Sequence, residues 1–246
     1  MFYKIALLSM ILSLSPFAFS EPGPISLAAT NYPPYTIIQQ FGTVGGVDAE
    51  IVKAAFSQQS LQISVSTPPW VRALKSVEHG KIDGLLSCTK NQQRSQFLYY
   101  SSPINQITRG LILKASHPQQ DIRTLKQASH LKIIAIRKWS TQTELESKGI
   151  KHTQVDTIPQ ALDMLLMRDF DAIYSGIESI GYYAKQADMG DKIRSHTLVS
   201  QPPKNLYLCL GKKTPNALTI LKQFNAGLVT IKKNGQLDAI LNKYKL

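Results

Sequence analysis

The chain contains one short unit twice, and each copy ends an apolar strand on a hydroxyl that could contact a ligand. The segments ALKSVEHGKIDGLLS (73–87) and ALDMLLMRDFDAIYS (161–175) have the same length and share Ala, Leu, Asp and Ser at the same offsets. In both, a helical pattern ends, an aspartate opens a strand, and a serine (Ser87 or Ser175) closes it. Ligands of open α/β proteins bind beyond the carboxyl ends of the strands. The repeat therefore predicts two α/β units that face a shared cleft.

The residues that most often hold metals or act as nucleophiles lack a useful spacing. The five histidines are isolated, and Cys88 and Cys209 lie far apart in the strand-like runs LLSCT and LYLCL. Because zinc sites need clustered Cys and His ligands, the sequence predicts no metal and no cofactor. The two cysteines are either buried thiols or a disulfide, and their separation alone does not decide between the two.

The charge balance is strongly basic, with 28 Lys and Arg against 16 Asp and Glu. Such an excess can indicate nucleic acid, an anionic membrane surface or an anionic ligand. Here the basic residues are scattered, with KK pairs only at 212–213 and 232–233, and no groove-reading motif is present. We therefore expect no nucleic-acid partner. A basic solvated surface is the simplest interpretation.

The first twenty residues have the pattern of a secretory signal peptide. Lys4 precedes an apolar run from Ile5 to about Pro16, and the small residues Ala18 and Ser20 stand at the −3 and −1 positions of a cleavage site. The run is shorter than the roughly 20 residues that span a bilayer. We expect a mature chain that starts near Glu21 and is soluble in the periplasm.

Strand and helix patterns alternate along the mature chain. ISLAAT, LQISVST and IDGLLSCT read as strands, and VDAEIVKAAFSQQ and PPWVRALKSVEHG between them read as helices. The second half repeats this scheme, from the strand LKIIAIRK to the strand FDAIYSG. Strands alternating with helices indicate βαβ units and a parallel sheet. The predicted fold class is α/β, with two lobes, a hinge and an interlobe cleft.

The end of the chain should return to the first lobe. LYLCLGKK reads as a strand, and two amphipathic helices follow it. Together these elements are too small for an independent core. The expected organisation is a signal peptide at 1–20, a first lobe of residues 21–107 and 205–246, and a second lobe of residues 108–204.

Several segments together resemble a known family. The leader, NYPPYT, GGVDAEIVKAAF, GKIDGLLSCTKNQQR, YSSP and the closing KKNGQLDAILNKY are similar to the type II periplasmic solute-binding proteins of the polar amino-acid family, which deliver ligands to ABC transporters. The likeness covers almost the whole mature chain. It implies a two-lobed protein that closes over a small solute by a hinge motion.

The resemblance implies ligand-binding roles in the first lobe. Arg94 in TKNQQR matches the arginine that grips a ligand carboxylate, and a planar guanidinium can do so bidentately. Ser87 and Thr89 would add hydroxyl hydrogen bonds. Tyr32 and Trp70 match two aromatic walls on either side of the ligand.

The second lobe is expected to contribute the loop after the strand IIAIRK. Arg137 falls where some relatives place a basic contact, and Ser140 and Thr141 fall where a helix N-terminus offers backbone amides to an anion. Trp139 stands where the family usually has glycine. A ring there would narrow the cleft or form a third wall.

One expected group is missing. Members that bind amino acids pair the ligand ammonium with an aspartate just after the second-lobe strand, and this chain has Gly176 there. Glu178 is the only nearby acid and would replace the aspartate only if the loop bends. The missing aspartate makes an α-amino acid less favoured as the ligand, and it favours an organic anion or a modified amino acid.

The resemblance also bears on the two cysteines. In this fold the returning strand (206–210) runs beside the strand that holds Cys88. A disulfide between Cys88 and Cys209 is therefore possible.

Three functions remain open. The first is an extracytoplasmic binding protein that passes a small carboxylate to a membrane permease complex and acts as a monomer. The second is a ligand-sensing module for a membrane receptor. The third is a dehydratase-like enzyme on the same fold, which would need an acid and a base in the cleft. We expect no enzyme activity, because apart from Glu178 the predicted lining offers hydroxyls and arginines, with no His–carboxylate pair.

Overall fold

A computed structural model of the chain describes residues 23–118 and 122–244. The predicted signal peptide lies outside these ranges. Within them, no helix combines the length and the apolar character that a membrane crossing requires.

The first lobe contains a five-stranded sheet with both parallel and antiparallel strands. Its strands are β1 (Ile25–Ala28), β4 (Ile63–Ser66), β5 (Gly84–Thr89), β6 (Leu98–Ile107) and β12 (Lys204–Gly211). Their order is β4-β1-β5-β12-β6. β1 pairs in parallel with β4 and β5, whereas the returning β12 is antiparallel to β5 and β6. A small hairpin of β2 (Ile37–Ile38) and β3 (Val44–Gly45) follows β1.

The second sheet repeats this plan. Its strands are β7 (Arg109–Lys114), β8 (Ile133–Ile136), β9 (His152–Val155), β10 (Ala172–Gly176) and β11 (Ile193–Thr197), in the order β11-β7-β10-β8-β9. β8 is parallel to β9 and β10, and β7 is antiparallel to β10 and β11. The central strands β5 and β10 thus occupy equivalent places, and the prediction of two α/β lobes is confirmed.

Eight helices cover the sheets within the described ranges. They are α1 (Val47–Ser57), α2 (Trp70–Glu78), α3 (Gln92–Ser95), α4 (Ser140–Ser147), α5 (Ile158–Met167), α6 (Ile177–Gln186), α7 (Ala217–Lys233) and α8 (Gln236–Tyr244). The chain passes between the sheets at Thr108 and again through 198–203. The exact lobe boundaries stay a prediction.

The repeated aspartates have a structural function in both sheets. Asp83 Oδ2 accepts hydrogen bonds from the backbone N–H and the hydroxyl of Ser26, and Asp171 Oδ2 accepts one from the backbone N–H of Lys132. Each aspartate therefore joins the start of a central strand to the start of its parallel neighbour.

Cys88 on β5 and Cys209 on β12 form a disulfide. The two strands are antiparallel neighbours with an irregular register between Tyr207 and Cys209. In sequence, Cys88 precedes the strands of the second sheet and Cys209 follows them. The bond therefore links the two parts of the chain that build the first lobe.

Helices α1 and α7 pack so closely that only glycine fits at residue 227. A Cβ at Gly227 would lie 2.0 Å from the carbonyl oxygen of Ala55. Beside it, the rings of Phe56 and Phe224 are in contact in a tilted arrangement, with centroids 5.0 Å apart.

Gly227→Ala should therefore force the two helices apart and lower the free energy of unfolding by at least about 2 kcal/mol. Gly181→Ala in α6 is the matched control, because a Cβ there meets nothing within 4 Å. That change should stabilise the protein by about 0.5–1 kcal/mol, since alanine loses less backbone entropy. Urea unfolding measures both, and equal effects of the two variants would contradict the packing argument.

Candidate ligand-binding cleft

A cavity lies between the two lobes, with lining residues from both. Its volume is about 480 Å³, which includes the part that is open to solvent. The lining residues are Thr30, Tyr32, Trp70, Cys88, Thr89, Arg94, Ile107 and Leu206 from the first lobe and Trp139, Ser140, Thr141 and Gly176 from the second. Six of the predicted ligand-binding residues, Tyr32, Trp70, Thr89, Arg94, Ser140 and Thr141, are brought together here.

Arg94 is the charged residue of this lining. The short helix α3 holds it, because the Asn91 side chain accepts the backbone N–H of Arg94 at 2.8 Å. Its side chain is buried, with 4% of the residue exposed, and its guanidinium lies 4.9 Å from the Trp70 ring centroid. Burial lowers the pKa of Arg94 to about 10. The cation is thus desolvated but remains charged near neutral pH.

The guanidinium of Arg94 is only partly satisfied by the protein. Nη1 donates to the carbonyl and the hydroxyl oxygen of Thr89, at 3.0 and 2.7 Å, and Nη2 donates to the carbonyl of Lys138 at 2.7 Å. An arginine has five N–H donors, so two of them lack a protein acceptor among the described residues. No carboxylate in the described ranges forms an ion pair with it. An anion in the cavity would supply both the hydrogen-bond acceptors and the negative charge that Arg94 lacks.

The Lys138 carbonyl joins the two lobes. It accepts from Arg94 and also from Trp70 Nε1, at 3.1 Å. Lys138 itself has φ of 60°, an uncommon value for a residue with a side chain. The following ring, Trp139, packs edge-on against Tyr32 with centroids 4.7 Å apart. Trp139 thus lines the cleft as a third aromatic wall, beside Tyr32 and Trp70.

The second lobe presents the N-terminus of α4 to the cavity. Trp139 is the N-cap and offers no side-chain hydrogen bond to the helix. Ser140 and Thr141 occupy the first turn and are buried, and the Thr141 hydroxyl has no partner. The Thr30 hydroxyl, across the cleft, is also buried and unpaired. Helix N-termini attract anions through their free amides and dipole.

The structure does not bring Ser87, Arg137 and Glu178 into the lining. Arg137 Nε binds Asp156 Oδ1 at 2.8 Å on a largely exposed surface. Glu178 accepts the backbone N–H of Thr108, at 3.0 and 3.2 Å from its two oxygens. It therefore fastens α6 to a crossing between the lobes.

Ser87 is directed towards α1. Its hydroxyl donates to Asp48 Oδ2 at 2.6 Å, and Asn105 donates to Asp48 Oδ1 at 3.0 Å. Asp48 is fully buried. The expected ligand contact is replaced by a polar cluster beneath the cleft, because a desolvated carboxylate needs hydrogen bonds more than a cleft hydroxyl does.

Asp48 should make stability depend on pH. Burial raises its pKa to about 6, although the bonds from Ser87 and Asn105 oppose the shift. Because the folded pKa is raised, the stabilising contribution is complete below about pH 4 and is lost as the pH rises through 6.

The variant Asp48→Asn removes this titration. Its free energy of unfolding, relative to the wild type, should rise by about 2–3 kcal/mol between pH 4 and pH 7. Urea unfolding of both proteins across that range measures the difference. A difference that is constant with pH would contradict the assignment.

Sequence reasoning missed part of the lining. Ile107 and Leu206 supply apolar surface at the crossings, and Cys88 lines the cavity beside its disulfide. The Lys138 carbonyl is a backbone group and has no sequence signature. Thr30 could have been found from its place at the end of β1.

The arrangement is suited to holding a small anion. The lining combines a buried guanidinium, hydroxyls, a helix N-terminus and aromatic walls, with neither a histidine nor a carboxylate. Within the described ranges, no group of three or more His, Cys, Asp or Glu side chains could hold a metal ion.

The chain is similar to several known proteins. An arginine-binding periplasmic protein of Mannheimia haemolytica is 20% identical over 222 residues, which cover 87% of each chain. A histidine kinase sensor domain with similarity to periplasmic binding proteins has a TM-score of 0.79 at 17% identity, covering 90% of this chain and 96% of its own.

A substrate-binding protein of an ABC uptake transporter from Streptococcus pneumoniae, solved with bound histidine, has a TM-score of 0.77 at 17% identity. The alignment covers 89% of this chain and 91% of that one. The structural likenesses establish the fold. The model of the bacterial extracellular solute-binding proteins, family 3, matches residues 25–246, and the chain belongs to this family.

Proposed function

We propose that this protein binds a small solute bearing a carboxylate, an amino acid or a related acid, and delivers it to an ABC transporter. The observation that carries the proposal is Arg94, a buried cation with two unused donors and no acidic partner among the described residues. An unpaired buried charge is costly by several kcal/mol. A carboxylate that accepts both free donors would remove most of that cost.

The two lobes would close over this solute. Arg94, Thr89 and Trp70 come from one lobe, and the α4 N-terminus comes from the other. A ligand that contacts both sides stabilises the closed arrangement by its extra contacts there. We propose Arg94, Thr89, Trp70, Tyr32, Ser140 and Thr141 as ligand-binding residues.

The family and its relatives support the choice of solute and location. The relatives named above are described as binding arginine and histidine. The expected leader at residues 1–20 would place this chain in the periplasm. A membrane permease complex would then be its partner.

A thermal-shift screen of the purified mature protein against amino acids and organic acids tests binding. A ligand at 100 times its Kd should add about 2.7 kcal/mol of stability. If no carboxylate raises the melting temperature, the proposed function fails.

Uptake of the labelled ligand by cells with and without the gene tests delivery. Loss of uptake on deletion is expected. If uptake is unchanged and a transcriptional response to the ligand is lost, the protein is a sensing module, as the similarity to a sensor domain would allow.

A further inference from the structure

We propose that the ligand is an organic acid without an ammonium group, and that Tyr32 and Gly176 exclude the amino-acid form. The inference rests on the proposed function and names the substrate class of the same cleft.

The charge of the cavity disfavours an ammonium group. Among the twelve lining residues, Arg94 is charged and none is acidic. A carboxylate at Arg94 brings the site to neutrality. A second, positive charge on the ligand would lose water on entering the cleft without gaining a counter-charge from the lining, which is unfavourable.

There is no free space for an acidic side chain at residue 176. A Cβ at Gly176 would lie 2.5 Å from the Tyr32 hydroxyl. The tyrosine hydroxyl therefore occupies the space that a side chain at residue 176 would need. Burial raises the pKa of Tyr32, so its hydroxyl is neutral and cannot balance an ammonium.

The two acids near Tyr32, Glu178 and Asp48, have other partners in the protein. A Cβ at Gly176 would also lie 3.8 Å from Glu178 Oε2, yet both oxygens of Glu178 accept the Thr108 N–H. Asp48 is bound to Ser87 and Asn105. Neither carboxylate lines the cavity. Both carboxylates are therefore engaged by hydrogen bonds from the protein.

The aromatic and aliphatic lining residues indicate the chemical character of the rest of the ligand, beyond its carboxylate. Trp70, Trp139 and Tyr32 surround the space beside Arg94, and Ile107 and Leu206 add apolar surface. Flat, apolar contacts of this kind suit a carbon skeleton that is apolar or planar. The proposed ligand is a small carboxylic acid with such a skeleton.

Matched pairs of acids test the inference. Calorimetric titration of the mature protein would compare phenylalanine with phenylpyruvate and 3-phenylpropionate, leucine with 4-methyl-2-oxopentanoate, and glutamate with 2-oxoglutarate. In at least one pair, the acid without nitrogen should bind ten-fold or more tightly than its amino acid. Tighter binding of the amino acid in every pair that binds would overturn the inference while leaving the proposed function intact. If no carboxylate in the thermal-shift screen binds, the proposed function fails and this inference fails with it.

A second measurement uses Glu178→Gln, whose amide oxygen can still accept the Thr108 N–H. The best ligand should bind this variant within about three-fold of the wild type. A loss of thirty-fold or more, with an unchanged melting temperature of the empty protein, would show that Glu178 serves a ligand cation and would overturn the inference.

Discussion

Arg94→Ala should weaken binding of the preferred carboxylate by a factor between about 30 and several thousand. Removing one partner of a buried, hydrogen-bonded charge pair costs roughly 2–5 kcal/mol. Titration calorimetry with the ligand found by screening measures the loss. The empty variant should remain folded, because the unfavourable burial of the cation and the three hydrogen bonds it makes oppose each other.

Arg137→Ala is the matched control for this experiment. It removes the same type of side chain from the facing lobe, but from an exposed ion pair with Asp156. Exposed pairs contribute little, about 0–1 kcal/mol, and Arg137 does not line the cavity. Its affinity for ligand should change less than about two-fold. Equal losses in the two variants would contradict the placement of the site.

Loss of the Cys88–Cys209 disulfide should lower the free energy of unfolding by about 2–5 kcal/mol. The two residues are 121 apart in sequence, so the bond restricts a long segment of the unfolded chain. For a protein of this size, the melting temperature should fall by about 5–15 °C.

The double variant Cys88→Ser, Cys209→Ser and treatment of the wild type with a reductant measure the same loss in two ways. The two results should agree, and reductant should have no effect on the double variant. A wild type that melts at the same temperature with and without reductant would contradict the prediction.

Most of the fold could be predicted because its central elements have clear patterns. The apolar strands β5, β8 and β10 and the helices between them are regular, and the repeated Asp and Ser offsets revealed the two-lobed plan. The strand β6 was not predicted, since Pro103 and several polar residues interrupt it. Proline is tolerated there because β6 lies at the edge of its sheet.

The site could be predicted only in part, because sequence spacing does not show what a side chain meets. Ser87 and Thr89 are two residues apart, yet Ser87 bonds to an aspartate 39 residues away in sequence and Thr89 bonds to Arg94. Glu178 is near Gly176 but is held by a backbone amide at the crossing. Such choices depend on tertiary neighbours that no local pattern encodes.

The Lys138 carbonyl competes with any ligand carboxylate for hydrogen-bond donors in the cleft. It already occupies one donor of Arg94 and the indole N–H of Trp70. An incoming carboxylate that needs this donor must displace a protein group as well as water. Its apparent Kd is then the intrinsic Kd divided by the fraction of molecules in which the contact is broken. If release of this contact is slow, the observed binding rate will level off as the ligand concentration rises, at the rate at which the two lobes part.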